Sequence, residues 1–100
     1  MNNLNIGDRV YAILEFPEGG KALLSGEIYY TTLKEVKLKK LYFIKNSDPR
    51  LILNEEKTQW RLRLNSGWEI PSFSNIIGVN NEFLYDFNNE ADALLAYEVI

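Results

Sequence analysis

Apolar and polar side chains alternate with a period of two along most of the chain, which predicts β-strands rather than helices. The chain is organised around the first strand, predicted from Arg9 to Phe16 after the turn pair Gly7-Asp8. Both faces of this strand are rich in apolar side chains, so we expect one face to be buried and the other to be partly covered. Similar patterns predict further strands at Lys21–Leu33, Glu35–Lys45, Gln59–Leu64 and Phe83–Phe87, and are compatible with a buried strand at Ile76–Val79. Leu51–Leu53 is either a short strand or a loop that packs on the core.

The third strand changes phase in its middle. The alternation that begins at Val36 resumes at Leu41 on the opposite parity. One additional residue near Lys39-Lys40 restores a single buried face, so the pattern predicts a β-bulge there. Gly26, inside the second strand, predicts a bend or bulge in that strand.

The most regular alternation covers residues 59–64, where the tryptophan and the leucines are expected inside and the arginines outside. Asn65-Ser66-Gly67 then predicts a short hairpin turn with glycine in the left-handed conformation. We expect residues 68–70 to return along the preceding strand, and Pro71 to end the pairing.

At the C-terminus the apolar period changes from two to that of a helix, predicted over about residues 89–100. Asn88 or Asn89 is the expected N-cap, and Glu90 and Asp92 in the first turn are favoured by the helix dipole. The apolar positions expected to form its buried face are Ala91, Leu94, Leu95 and Val99.

Length and composition exclude several classes of protein. One hundred residues fit one domain, predicted to span residues 1–100. The chain has no cysteine and no histidine, which excludes a disulfide scaffold, Cys/His zinc sites and histidine-based catalysis. We therefore predict that the protein is not an enzyme and holds no cofactor and no metal. The N-terminus shows no signal-peptide pattern, and the apolar runs are too short to span a membrane, so we expect a cytoplasmic protein.

The acidic positions at the C-terminal end admit a second interpretation. Asp86, Asn88, Glu90 and Asp92 alternate like the first ligands of a calcium-binding loop. The central glycine of such a loop is replaced by Ala91. Helix capping explains the same residues more simply.

Charge is distributed unevenly around a net value of −3. Residues 34–45 contain five lysines and one glutamate, whereas the chain after Arg63 contains six acidic residues and no basic one. Such a gradient indicates two faces with different partners, or only a requirement for solubility. The candidate nucleic-acid contacts are Lys37, Lys39, Lys40, Arg61 and Arg63. A different interpretation of the lysines is that they protect an exposed edge strand from aggregation.

The pattern Gly7-Asp8-x-Val10-Tyr11-Ala12, with a glycine-rich loop and then Gly26-Glu27-Ile28, resembles the opening of SH3-like barrels of the Tudor and KOW type. The ending, residues 85–95, is similar to short bacterial and phage proteins in which such a barrel is followed by an acidic helix. The resemblance implies a mostly β, SH3-like, partly open barrel over about residues 6–87 with one C-terminal α-helix.

In Tudor-type relatives, aromatic side chains at strand ends form a cage for a cationic ligand, and KOW-like barrels bind nucleic acid. We expect Tyr11 and Tyr29 to be exposed, because each lies opposite the inferred core parity of its strand. The predicted protein-binding residues are Tyr11, Tyr29, Glu82, Asp86, Glu90 and Asp92.

These observations predict a small non-catalytic protein-binding module, encoded by a phage or another mobile element, which acts by covering a surface of its partner. In a sharper form of the hypothesis it inhibits a host defence nuclease, as anti-CRISPR proteins do. The alternative is a nucleic-acid-binding accessory module that uses the Lys34–Lys45 strand. We expect a monomer or a small homo-oligomer with another protein as partner, nucleic acid being less favoured, and no association with a membrane.

Overall fold

Seven β-strands and one helix form three layers in the computed structural model, which describes residues 4–16, 19–63 and 72–100. The expected hairpin at 65–67 and its return at 68–70 lie outside the described residues. The strands are β1 (Arg9–Glu15), β2 (Lys21–Thr31), β3 (Glu35–Asn46), β4 (Leu51–Leu53), β5 (Trp60–Leu62), β6 (Ile77–Asn80) and β7 (Leu84–Asp86), and the helix α1 is Glu90–Val99.

Five strands pair antiparallel in the order β6-β3-β2-β1-β7 and form the middle layer. The sheet is not closed into a barrel, which confirms the mostly β, partly open fold with one C-terminal helix. Strands β4 and β5 form a separate two-stranded sheet. β6 pairs with Glu35–Leu38, so Lys37 does not lie on an edge of the sheet, and edge protection stays an interpretation only for the lysines of β3 beyond this pairing.

The sheet buries both of its faces, each against a different layer. On one face, Val10 and Ala12 belong to the larger core, against which Leu53 and Trp60 of the β4–β5 pair are packed. On the other face, which we call the helix side, the smaller core gathers β1, β2 and α1. Because β1 is a central strand between these layers, side chains of both parities are buried along it. The members of the smaller core are Tyr11, Ile13, Leu23, Ala93 and Tyr97.

The predicted bulge in β3 is confirmed by the strand register. Ser25 pairs with Tyr42 and Glu27 pairs with Lys39, so one residue of β2 lies opposite two residues of β3. Lys40, one of those two, has a φ of 52°, the left-handed region that non-glycine residues seldom adopt.

Gly26, the single residue of β2 opposite this bulge, is required by close packing. A Cβ placed on it would lie 2.9 Å from the Cβ of Leu38 and 3.1 Å from Cδ2 of Leu41. The backbone of β2 and the side chains of β3 therefore approach each other more closely than any other residue type permits. The irregularity predicted at Gly26 coincides with the register shift, but the additional residue lies on β3.

Helix α1 buries a face that shares only Leu94, partly buried against the smaller core, with the one predicted. Ala93 and Tyr97 are its buried residues, while 66% of Leu95 and 78% of Val99 are exposed. The prediction counted aliphatic side chains and left out Tyr97, whose ring packs on the sheet while Nζ of Lys21 donates to its backbone oxygen. Asn89 is the N-cap residue, but its side chain makes no capping hydrogen bond. No helix in the described part of the chain is long and apolar enough to cross a membrane.

A buried ion pair joins the β1–β2 loop to the β3–β4 turn. Asp48 is 2% exposed and accepts hydrogen bonds from the Arg50 guanidinium at 2.9 and 2.6 Å. The guanidinium also donates to the carbonyl of Gly19 at 3.1 Å. These hydrogen bonds from Arg50 hold the pKa of the Asp48 carboxyl below its ordinary value, against the opposing effect of burial.

Candidate functional site

The helix-side face of the sheet continues beyond the end that α1 covers. Across the strands, Tyr42 pairs with Ser25 and Ser25 with Tyr11. The next row joins Lys39, Glu27 and Arg9 in the same way. An open groove of about 570 Å³ forms at this uncovered end, which we call the basic groove. Its lining consists of Arg9, Lys39, Lys40, Leu41, Tyr42, Thr58, Gln59 and Asn75.

Arg9 is held in place on several sides. Its Nη2 donates to the hydroxyl of Ser25 at 2.9 Å, and Ser25 itself is 4% exposed. The guanidinium carbon lies 5.8 Å from the ring centroid of Phe87. Phe87 in turn stacks on Tyr11, with the ring centroids 4.9 Å apart and the planes 16° from parallel. The charge of Arg9 is thus fixed at the wall of the groove by contacts from β2 and from the turn before α1.

The bulge places two successive lysines on the same side of β3. Nζ of Lys39 lies 3.5 Å and Nζ of Lys40 3.7 Å from the carboxylate oxygens of Glu27. In a regular strand, neighbouring side chains point to opposite faces. The additional residue removes that alternation at this point, and both ammonium groups reach one carboxylate on β2.

The structure brings together only part of the predicted nucleic-acid set. Lys39 and Lys40 share the basic groove, and Lys37 extends the same strand, with Nζ 5.3 Å from the ring centroid of Tyr30. Arg61 belongs to the β4–β5 pair, where its guanidinium lies over Phe73, 5.7 Å from the ring centroid.

Arg63 follows β5, and its backbone N–H donates to the carbonyl of Arg50. Neither Arg61 nor Arg63 lines the groove. Sequence reasoning missed Arg9 and Tyr42, which belong to it. Tyr42 lies on β3, two residues after Lys40, whereas Arg9 is brought to the lysines by the pairing of β1, β2 and β3, which is not visible in the one-dimensional pattern.

The prediction that Tyr11 is exposed is wrong. Tyr11 is 5% exposed, because α1 covers the second face of β1. Burial raises the pKa of its phenol, and the neighbouring Glu90 carboxylate raises it further, while Arg9 opposes the shift. Tyr11 therefore anchors Glu90 to the sheet and offers no surface to a partner. Tyr29 is half-buried rather than exposed.

The four predicted acidic residues do not form one cluster. Asp86 and Asp92 line an open groove of about 670 Å³ together with Asp8, at the start of α1. Glu90 faces Tyr11. Glu82 lies before β7, in the 3₁₀ turn Asn81–Phe83, whereas Asp86 ends that strand. Among the described residues no group of three or more acidic side chains is placed to hold a metal ion.

The outward side of α1 carries an aliphatic stripe. Ala91, Leu95 and Val99 follow one another at intervals of four residues, and all three are exposed. At 100° per residue, Asp92 and Glu98 fall on either side of this stripe. We call Ala91, Asp92, Leu95, Glu98 and Val99 together the outer face of α1. The sequence pattern contains the stripe but assigns it to the core.

Glu98 also secures the end of the helix. Its carboxylate lies 2.9 Å from Nζ of Lys45 on β3. This hydrogen bond and the attraction of Lys45 hold the pKa of Glu98 below its ordinary value, and the same contact raises the pKa of Lys45. The pair adds a contact at the end of α1, whose orientation is set by the burial of Ala93 and Tyr97.

No family model matches the chain, and neither the curated proteins nor the solved structures include a significant match. The relationship to SH3-like barrels therefore remains a prediction, and the function has to be argued from the geometry of this chain.

Proposed function

We propose that the protein is a non-catalytic protein-binding module that docks through the outer face of α1 onto a basic surface of its partner. The observation that carries the proposal is the orientation of the helix. Leu95 and Val99, 66% and 78% exposed, are turned to solvent, while the smaller Ala93 and the aromatic Tyr97 pack on the sheet. Contiguous apolar side chains with a polar border are typical of protein interaction sites.

The chemistry of the partner follows from the residues around the stripe. Asp92 borders it on one side, and Asp86 and Asp8 line the adjoining groove. Glu98, on the other side, is already paired with Lys45. Excess negative charge near the start of the helix favours a partner that presents lysine and arginine. Such charge complementarity increases the rate of association and the specificity of binding more than the affinity.

In its sharper form, the module is encoded by a phage or another mobile element and inhibits a host defence nuclease, as anti-CRISPR proteins do. A nuclease must present a positively charged channel to its nucleic acid. A compact acidic domain that enters such a channel blocks it without any catalytic group. The small size of the chain and the acidic border of α1 support this form of the proposal.

The first test is affinity capture with the tagged protein from a lysate of the source organism or its host, treated with nuclease and analysed by mass spectrometry. We expect one basic protein to be retained by the wild-type chain and lost with the double variant Leu95→Glu/Val99→Glu. The matched control is Leu33→Glu, which places the same charge on a residue that is 99% exposed at the far end of the β2–β3 hairpin.

Retention of the partner by the double variant would overturn the proposal. A second copy of this chain as the occupant would overturn it as well. In that case analytical ultracentrifugation of the pure protein gives a dimer, and Leu95→Glu/Val99→Glu converts it to a monomer.

The charge argument has its own test once a partner is identified. The double charge reversal Asp86→Lys/Asp92→Lys is expected to weaken binding most at low ionic strength, because screening reduces the repulsion at high salt. Reversal of Glu82, which lies at the other end of β7, is expected to change binding little. An equal loss from both variants would show that net charge, and not this face, governs binding.

A further inference from the structure

We infer that the basic groove binds single-stranded nucleic acid, with backbone phosphates held by Arg9, Lys39 and Lys40 and a base stacked on Tyr42. The inference goes beyond the proposed function and does not depend on it. The groove lies at the uncovered end of the sheet, and none of its lining residues belongs to the outer face of α1, although Arg9 also lines the groove at the start of α1.

The charge of the groove is opposite to that of the protein. Arg9, Lys39 and Lys40 supply three positive charges, and Glu27 between them supplies one negative charge, an excess of two positive charges. The whole chain carries a net charge of −3. Attraction between basic side chains and backbone phosphates supplies most of the affinity in nucleic-acid binding. A cluster of cations in a protein of negative net charge therefore fits an anionic ligand of this kind.

The groove also contains an aromatic surface. Tyr42 is 47% exposed and stands next to Lys40 and Lys39 along the bulged part of β3. Beyond them, Tyr30 is 49% exposed beside Lys37. Cations that alternate with exposed rings are the arrangement by which proteins bind single strands, since every unpaired base has a face that stacks on an aromatic ring. In a nucleic acid every residue carries such a group, whereas in an acidic peptide only the occasional aromatic side chain does, so the repeated rings favour a nucleic acid.

The conformation of Lys40 supports a functional role for its charge. At a φ of 52°, glycine or asparagine is the usual residue, and lysine is less stable there. Residues in sparsely populated backbone conformations concentrate at functional sites. Lysine at this position places a second ammonium group beside that of Lys39, which a regular strand does not do.

Glu27 limits the affinity of the basic groove for a phosphate. It is the carboxylate that both lysines approach, at 3.5 and 3.7 Å, and it separates their charges when no ligand is bound. A phosphate that enters the groove competes with Glu27 for the same ammonium groups. Removal of this carboxylate is therefore expected to strengthen binding, an effect opposite to that of removing a lysine.

The experiment is a titration of a fluorescently labelled oligothymidylate, followed by fluorescence anisotropy, with the full chain. With three cations engaged, affinity is expected to fall roughly twentyfold between 50 and 200 mM salt. Lys39→Ala and Lys40→Asn are each expected to weaken binding about threefold to tenfold, and Asn keeps a residue suited to the left-handed conformation of Lys40. Tyr42→Leu is expected to weaken binding, whereas Tyr42→Phe retains the ring and the affinity.

Two variants serve as controls with different expected outcomes. Glu27→Gln is expected to tighten binding severalfold. Lys34→Ala removes a lysine of the same segment that does not line the groove, and is expected to have little effect. Thermal unfolding of each variant separates loss of binding from loss of the fold.

The inference is overturned if the wild-type protein does not bind the oligonucleotide at 50 mM salt. It also fails if Lys34→Ala weakens binding as much as Lys40→Asn, since diffuse attraction then explains the result. If poly-glutamate displaces the oligonucleotide when both are present at the same concentration of negative charge, the ligand is an acidic protein instead. None of these results alters the capture experiment on α1, which follows a different surface.

Discussion

The two ends of the helix-side face show how one sheet surface supports two different environments. At one end, Ile13 and Leu23 are fully buried under Ala93 and Tyr97 of α1. At the other end, Glu27, Lys39, Lys40 and Tyr42 face an open groove. Side chains of the same parity along the same strands are thus apolar where the helix lies and charged where it ends.

The two ends differ because α1 is shorter than the strands on which it packs. The ten residues of α1 span about 15 Å, whereas the eleven residues of β2 span about 36 Å. A helix of this size covers less than half of the face beneath it. The remaining surface must be soluble, and we propose that it has become a binding site.

The largest effect is expected from removing a side chain at the covered end. Ile13 is 0% exposed, so Ile13→Ala should lower the free energy of unfolding by about 2–5 kcal/mol, since it leaves a cavity between the sheet and α1. Tyr42→Ala at the uncovered end should cost less than about 1 kcal/mol. Urea unfolding measures both values. Equal losses would mean that the two ends do not differ in packing.

The next effect concerns the bulge that creates the groove. Gly26→Ala should lower the free energy of unfolding by about 1–3 kcal/mol, because the new Cβ meets Leu38 and Leu41. The matched control is Gly78→Ala in β6, where the nearest atom is the flexible carboxylate of Glu35. If both variants unfold at the same urea concentration, close packing at Gly26 is not what maintains the bulge.

A smaller effect of opposite sign is expected at Lys40. Lys40→Gly should raise the free energy of unfolding by about 0.5–1 kcal/mol, because glycine adopts a φ of 52° without strain. Lys39→Gly, one residue earlier in the extended part of β3, should lower it by a similar amount. A gain in stability with a loss of oligonucleotide binding would show that this position is selected for its charge.

The smallest effect is expected at the exposed contact that fixes the end of α1. The pKa of Glu98 is lowered in the folded state by Lys45, so the stability it contributes is present above the ordinary glutamate pKa and is lost as pH falls through the folded-state value. Glu98→Gln should therefore lower the melting temperature slightly at pH 7 and have no such effect once Glu98 is protonated. A difference that persists at low pH would indicate a packing contribution of Glu98.

Much of the fold was predictable from alternation. The strand positions and the phase change near Lys39-Lys40 follow from local pattern, because strand period and bulge geometry are properties of a few neighbouring residues. The need for a small residue at Gly26 follows only from its packing against Leu38 and Leu41. The residues of the basic groove were only partly predictable. Lys39 and Lys40 were identified from their charge, and Tyr42 follows them on β3, whereas Arg9 comes from β1 and is brought to them by the strand register.

The sequence by itself determined a mostly β chain with one C-terminal helix, because each element carries its own periodicity and turn residues. Only the tertiary structure decided which face of α1 is buried, since the helix offers an apolar surface on both sides. Because α1 packs on this face of the sheet, Tyr11 is buried, although its position in β1 alone predicted an exposed side chain. Burial depends on which layer packs against which, and that contact joins residues more than eighty positions apart.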